Sequence, residues 1–367
     1  MQIGYLVHDL GDAAVRRRTS MLEAAGIEVV MAGFVRDQNY GRGYQTKALA
    51  LGITQDAALA KRALTVLQNT LFCSKLEARF SKCDVLIARN LECLILAHRI
   101  SNGRPVVYEC LDIHSALLGH SIPHHLIQAV EGSLLKKTKA LITSSPGFVT
   151  HYFSKRPQCP NEIILLENKV LDLTNQGMPK VIVRTERPLT IGWFGMLRCK
   201  RTLKLLLQLA ARANGQIKVL IAGKPSTAQL PDFEISIAGQ EHVRFHGAYT
   251  PDDLPTLYGK CHFAWCIDWY EEGQNSAWLL PNRLYEATAH GSIPIALTEV
   301  ETGAWLKGHE AGLLLEASDT DFLERLLALT DSDLGQLQSA VHRIPAQDLL
   351  TSHADCLALR AILEKLR

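Results

Sequence analysis

Two strand–turn–helix patterns laid end to end predict an α/β protein with two Rossmann-like parallel-sheet domains facing each other across a cleft. Three observations carry this expectation. At 367 residues the chain exceeds the size that one core usually serves. Its opening runs strand, polar turn, helix, strand, which is the βαβ pattern of a parallel sheet. The same alternation restarts near residue 190, after a stretch without apolar period.

The elements follow in order. Residues 3–7 form an apolar strand, and the turn His8-Asp9-Leu10-Gly11-Asp12 leads into a helix over 13–25. Asp12 is placed to cap that helix and Gly26 to close it. A second strand spans 27–34. Residues 56–80 read as a long amphipathic helix with Lys61, Arg62, Lys75 and Arg79 beside Leu64, Leu67, Leu71 and Phe72. Such a helix packs on a core or lies on a membrane surface. Further strands are expected at 85–88, 106–109, 140–143 and 163–166. These elements make an N-terminal domain over 1–170, followed by a linker over 171–188 that holds Gly177, Pro179 and Pro188.

The second domain spans 189–345. It takes strands at 190–194, 218–222, 243–245 and 263–267, with helices over 201–213 and 251–259 between them. A short helix then starts at Pro281, ends at Gly291 and feeds the buried strand Ile293-Pro294-Ile295-Ala296. Residues 346–367 hold a last helix that is expected to pack back on the first domain.

Composition narrows the class. Hydrophobic residues make up 47% and charged residues 21%, so the chain folds as an ordinary globular protein. No apolar run reaches the roughly 18 residues needed to cross a bilayer. The start MQIGYLVHD lacks a basic leader segment, so a cytoplasmic protein is expected. Nine scattered cysteines, three of them ten apart at Cys73, Cys83 and Cys93, match no zinc or disulfide framework and read as reduced thiols. Residues 1–180 carry 21 Lys/Arg against 15 Asp/Glu, and the remainder 18 against 22. The basic half points to phosphate groups or to an anionic membrane surface.

Two stretches carry chemistry. In GWFGMLRCKRTLKLLLQLA (192–210) a glycine turn after a strand opens the backbone to a ligand, and the next helix offers unpaired N–H groups. Arg198, Lys200 and Arg201 stand there, where the helix dipole disfavours cations, so a compensating anion such as a diphosphate is expected. In NSAWLLPNRLYEATAHGSIPIAL (275–297) Asn282 and Glu286 share a helix face, with Arg283 beside them. The two oxygens of Glu286 suit the vicinal diol of a ribose, although a plain surface carboxylate fits the same pattern. Other signals are absent. There is no GxGxxG, since Gly41-Arg42-Gly43 lacks the third glycine, and no P-loop. The lone Asp-x-Asp, Asp331-Ser332-Asp333, reads as helix capping, so no metal or other cofactor is expected. His120, His124 and His125 flank Pro123 in what reads as a surface loop rather than a metal site.

The stretches IGWFGMLRCKRTLKLLL, VLIAG, VRFHGAYTPDDLPTLYGKCHFAWCI and PNRLYEATAHGSIPIAL resemble the donor domain of GT-B glycosyltransferases of the GT4-like group. The opening YLVHDLGDAAVRRRTSMLEAAGIEVVMAGFVR is similar to bacterial exopolysaccharide glycosyltransferases of the succinoglycan type. The resemblance implies that Glu286 binds the nucleotide ribose, that Gly195 and the basic cluster hold the diphosphate, and that the turn from Phe245 to Tyr249 borders the base. The chain departs from the retaining pattern at Trp278, where the first glutamate would stand, and at Met196, where the group often has Arg. Arg201 falls where its Lys would be, and Glu272-Gly273 lies about six residues out of register, by the same motif comparison. Glu272, Asn275 and Ser276 are therefore assigned to the sugar or acceptor, and inversion is favoured.

A sugar hydroxyl is a weak nucleophile and needs a positioned base. In Tyr108-Glu109-Cys110-Leu111-Asp112-Ile113-His114, Asp112 is the first candidate, with His114 and Glu109 behind it. The alternative for Asp112 is a helix cap. His8 and Asp9 are placed to touch the donor sugar or the acceptor. The expected activity is transfer from a nucleotide sugar, a UDP-sugar first, to a lipid-diphosphate-linked or oligosaccharide acceptor at the inner membrane, with no nucleic acid partner. A nucleotide-sugar epimerase and a non-catalytic partner subunit of the same fold are the alternatives.

Overall fold

The computed structural model describes residues 1–35, 48–53, 73–179, 184–316 and 322–367. The chain divides into two compact units, Met1–Glu167 with Ser352–Arg367, and Asn168–Thr351.

In the first unit seven strands form one sheet: β1 (Gln2–Val7), β2 (Glu28–Val35), β3 (Leu49–Ile53), β4 (Val85–Arg89), β5 (Val106–Cys110), β6 (Ala140–Thr143) and β7 (Glu162–Leu165). Their order is β3-β2-β1-β4-β5-β6-β7, and every pairing is parallel. Continuous apolar runs suit this arrangement, because helices cover both faces of a parallel sheet. Ile3, Tyr5, Leu6 and Val7 of β1 are all fully buried. The helix Ala13–Ala24 starts where Asp12 Oδ1 accepts from the N–H groups of Ala14 and Val15, at 2.6 and 3.3 Å. The helix His353–Lys365 belongs to this unit, with Arg360 donating to the Ala25 carbonyl at 2.9 Å. Of the amphipathic helix expected over 56–80, residues 56–72 lie outside the described residues, as does the Gly41-Arg42-Gly43 loop. The described part is a helix over Ser74–Phe80 that buries Leu76 and Phe80.

The second unit holds β8 (Val170–Leu171), β9 (Leu189–Leu197), β10 (Ile217–Pro225), β11 (Val243–Phe245), β12 (Phe263–Trp265), β13 (Ile293–Leu297), β14 (Leu313–Leu315) and β15 (Leu350–Thr351). Six of them form a parallel sheet in the order β11-β10-β9-β12-β13-β14. On one face the helix Lys200–Arg212 buries Leu203, Leu206 and Leu209 against Trp193, Phe263 and Trp265. On the other, Tyr258, Leu284 and Tyr285 close the core. Burying side chains of this size stabilises by about 1.5–3 kcal/mol each.

The expected linker over 171–188 begins inside a strand instead. Leu171 belongs to β8, which pairs in parallel with β15, and the Asp172 N–H donates to Thr351 at 3.0 Å. These backbone bonds tie residues 170–172 to the end of the second unit, so the division falls after Glu167 and after Thr351 rather than at 170 and 345. No helix among the described residues is long and apolar enough to cross a membrane.

Candidate active site

In the second unit the strand order reverses between β9 and β12, and ligands of open α/β sheets collect beyond the carboxyl ends of strands at such a point. Two glycines meet there. Gly195 of β9 is registered opposite Gly223 of β10, with φ of 112° and 134°. A Cβ on Gly223 would lie 1.8 Å from the Gly195 carbonyl oxygen, so only glycine permits this approach. The result is bare backbone at the mouth of the sheet.

Arginines line this mouth, and the protein supplies carboxylates for them. Asp268, three residues past β12, lies 3.6 Å from Arg198 and 3.8 Å from Arg283. Arg198 also stacks over the Tyr270 ring at 4.5 Å. Arg201 donates to both oxygens of Glu272, at 2.9 and 3.1 Å, and lies 4.3 Å over the Trp269 ring. The anion inferred from cations at a helix start is thus partly internal: Asp268 and Glu272 already neutralise Arg198 and Arg201. Lys200 is exposed at the first turn of its helix. Arg283 Nη1 is buried and has no hydrogen-bond partner among the described residues. An anionic oxygen would satisfy it.

Glu286 sits four residues after the exposed Asn282 on the helix Asn282–Ala289. Pro281 proves to be the cap residue itself, and Gly291, at φ 76°, follows the helix end. The Tyr258 hydroxyl donates to Glu286 Oε2 at 3.4 Å. Tyr249 packs near Phe194 with ring centroids 6.2 Å apart; burial and then the nearby Glu286 charge push its phenol up. Asn275 and Ser276, expected at the sugar, are instead buried. The Ser276 hydroxyl accepts from the Glu271 N–H at 3.0 Å, so it fixes the loop that carries Glu272. Ser276 is taken up by this bond, whereas Glu272 is well exposed.

The first unit has its own strand-order reversal, between β1 and β4. Glu109 at the end of β5 is fully buried there and is not a base candidate. Arg18 Nε donates to its Oε1 at 2.6 Å, the Tyr5 hydroxyl donates to its Oε2, and Arg89 lies 3.7 Å away. Burial pushes this carboxyl up, but Arg18 and Arg89 outweigh it and hold it below the ordinary value. A charge so enclosed and paired is structural. Asp12 Oδ2 approaches His8 Nε2 at 3.3 Å, and Arg89 lies 3.7 Å from Asp12 Oδ1. Burial opposes the ionised form of Asp12, yet Arg89 and then His8 keep it ionised well below the usual carboxylate range. Asp9 accepts from the Gly11 N–H at 3.0 Å and shapes the turn. The helical turn Ser115–Leu117 is capped by His114, whose Nδ1 accepts from the Ala116 N–H at 3.1 Å. Asp112 is therefore not the cap, and it stands exposed two residues after β5.

Residues 188–332 match the family model described as glycosyl transferases group 1. The chain is 40% identical to the succinoglycan biosynthesis protein ExoL of Rhizobium meliloti (strain 1021), over 98% of this chain and 92% of that protein. The chain belongs to the group 1 glycosyltransferases. Two solved structures share the fold of this glycosyltransferase over its full length. Sucrose-phosphate synthase from Thermosynechococcus elongatus has a TM-score of 0.75 at 15% identity, covering 99% of that chain. HepE of Anabaena, in complex with UDP and glucose, has 0.71 at 14%, also covering 99%. The GT-B class expected from the sequence is the class of these folds.

Sequence reasoning passed over three features of the glycosyltransferase. Asp268 had a signal, a carboxylate directly after an apolar strand. Gly223 had one as well, since VLIAG ends a strand on glycine just as GWFG does. The cluster of Tyr5, Arg18, Arg89 and Glu109 had none, because its members lie up to 104 residues apart.

Proposed function

We propose that this glycosyltransferase moves a sugar from a UDP-sugar to a lipid-diphosphate-linked or oligosaccharide acceptor in exopolysaccharide synthesis. Likeness to a protein named for succinoglycan biosynthesis and to a fold relative solved with UDP and glucose supports the substrate class. The observation that carries the donor assignment is the buried, unsatisfied Arg283 Nη1, one helical turn before Glu286 and on the same Asp268 carboxylate as Arg198, three residues after Gly195. In this reading Glu286 accepts from the ribose hydroxyls, with Asn282 beside it, and Tyr249 borders the base. Gly195 and Gly223 let the backbone approach the diphosphate, and Arg283, Arg198, Lys200 and Arg201 stabilise it as it departs. Fixed guanidinium groups act there without reorganising during the reaction.

In the first unit Asp112 takes the proton of the acceptor hydroxyl, which attacks the anomeric carbon in line and inverts it. His8, held by Asp12, and Asp9 contact the sugar or the acceptor, and His114 shapes the loop that carries Asp112. The enzyme works at the cytoplasmic face of the membrane, where its basic first half meets anionic lipid.

The test is a thermal-shift titration with UDP and UDP-sugars, since a ligand bound only by the native state raises the transition. Glu286→Ala is expected to weaken UDP binding by about tenfold to a hundredfold, the range for a lost charged hydrogen bond. Unchanged affinity removes Glu286 from the ribose site.

A further inference from the structure

The helix Ile122–Leu135 of the first unit has an apolar face that is exposed among the described residues. Ile122, Leu126 and Val130 are 85%, 67% and 39% exposed, and their spacing of four puts them in one stripe. The opposite face is well anchored. Gln128 donates to the carbonyls of Leu117 and Gly119 at 2.9 and 3.1 Å. Glu131 is fully buried and accepts from the hydroxyls of Tyr152 and Tyr108, at 2.5 and 3.4 Å. The stripe is therefore the outer side of a fixed helix.

Its charge surroundings are one-sided. Between Asp112 and Glu162 the only acid in the sequence is Glu131. Glu131 is fully buried and held by two tyrosine hydroxyls, so it presents no carboxylate at the surface. The same stretch holds Lys136, Lys137, Lys139, Lys155 and Arg156, and the four lysines are exposed. An apolar stripe ending in lysines, with no exposed acid near it in the chain, matches the chemistry of an interfacial helix.

We propose that the helix Ile122–Leu135 docks this glycosyltransferase on an anionic phospholipid surface. Ile122, Leu126 and Val130 enter the boundary between headgroups and acyl chains, while Lys136 and Lys137 meet lipid phosphates. A second copy of the chain is a poorer occupant, because a stable protein interface needs roughly 800 Å² on each partner and three side chains supply little of that. A bilayer needs no matching shape. The proposal names the membrane contact within the function proposed above and rests on that reading only for its purpose, the presentation of a lipid-linked acceptor.

Co-sedimentation of the full chain with phosphatidylglycerol or phosphatidylcholine vesicles tests it. Binding to phosphatidylglycerol at low salt, weakened by high salt, is expected, with little binding to phosphatidylcholine. The double variant I122S/L126S, at exposed positions, is expected to lose at least about tenfold in partitioning while its thermal transition and UDP shift stay put. The variant K136E/K137E is expected to lose at least about fivefold for each lysine removed. Wild-type protein that ignores phosphatidylglycerol, or an I122S/L126S variant that binds it as well as wild type, overturns the proposal. So does sedimentation equilibrium that finds a dimer abolished by I122S/L126S, which assigns the stripe to a second copy. The UDP shift is read separately, so failure of the donor assignment leaves a different signature.

Discussion

Replacing Glu109 by Gln separates structure from chemistry in the Tyr108–His114 segment. The change keeps the side-chain volume and removes one charge from a place with no solvent contact. Arg18 and Arg89, whose side chains are 6% and 7% exposed, lose the carboxylate they share. Arg18 gives up an ion pair at 2.6 Å, and Asp12 remains as the carboxylate paired with Arg89. Removing one partner of a buried pair costs about 3–5 kcal/mol, because the remaining charge is left desolvated. For a unit of this size each kcal/mol lowers the transition by about 2–4 °C, so the drop is about 6–20 °C. Scanning calorimetry reads it directly. Asp112→Asn is the companion, expected to shift stability by less than about 1 kcal/mol and to slow transfer about a hundredfold or more. If E109Q melts with the wild type and loses turnover instead, the carboxylate acts on substrate and the structural assignment is wrong.

Three other outcomes are expected. Gly223→Ala drives a methyl group into the Gly195 carbonyl at a φ of 134°, so it should destabilise the second unit by about 2 kcal/mol or more and abolish the UDP-induced shift; a retained shift means that the paired glycines are no part of the donor site. Glu272→Gln releases Arg201 from a largely exposed pair, so stability should change by less than about 1 kcal/mol while UDP affinity rises; a fall in affinity would place Glu272 on the donor itself. Glu109 and Asp12 have depressed folded values, so their stabilisation is complete above the ordinary values of 4.5 and 3.8 and is lost as pH falls through the folded ones. The urea midpoint of the first unit should therefore decline below about pH 4, and less steeply in E109Q; equal slopes would show that Glu109 does not carry the effect.

The legible part of this protein was the part written in local order. Period and punctuation in the chain determined the strands at residues 3–7 and 293–297, the Asp12 cap and the helix ending at Gly291, because each depends on neighbours within a few positions. Chain order alone also brought out the glycine turn, its cations and the carboxylate of Glu286, since each follows a strand or opens a helix. Tertiary structure decided what those charges do. Glu109 and Asp112 stand three residues apart in one segment, yet only Glu109 is enclosed by Tyr5, Arg18 and Arg89. Arg201 lies 71 residues from the Glu272 that occupies it, and Arg198 and Arg283, 85 positions apart, share Asp268. A charge takes its role from its partners and its exposure to water, and parallel strands with crossover helices bring those partners from far along the chain.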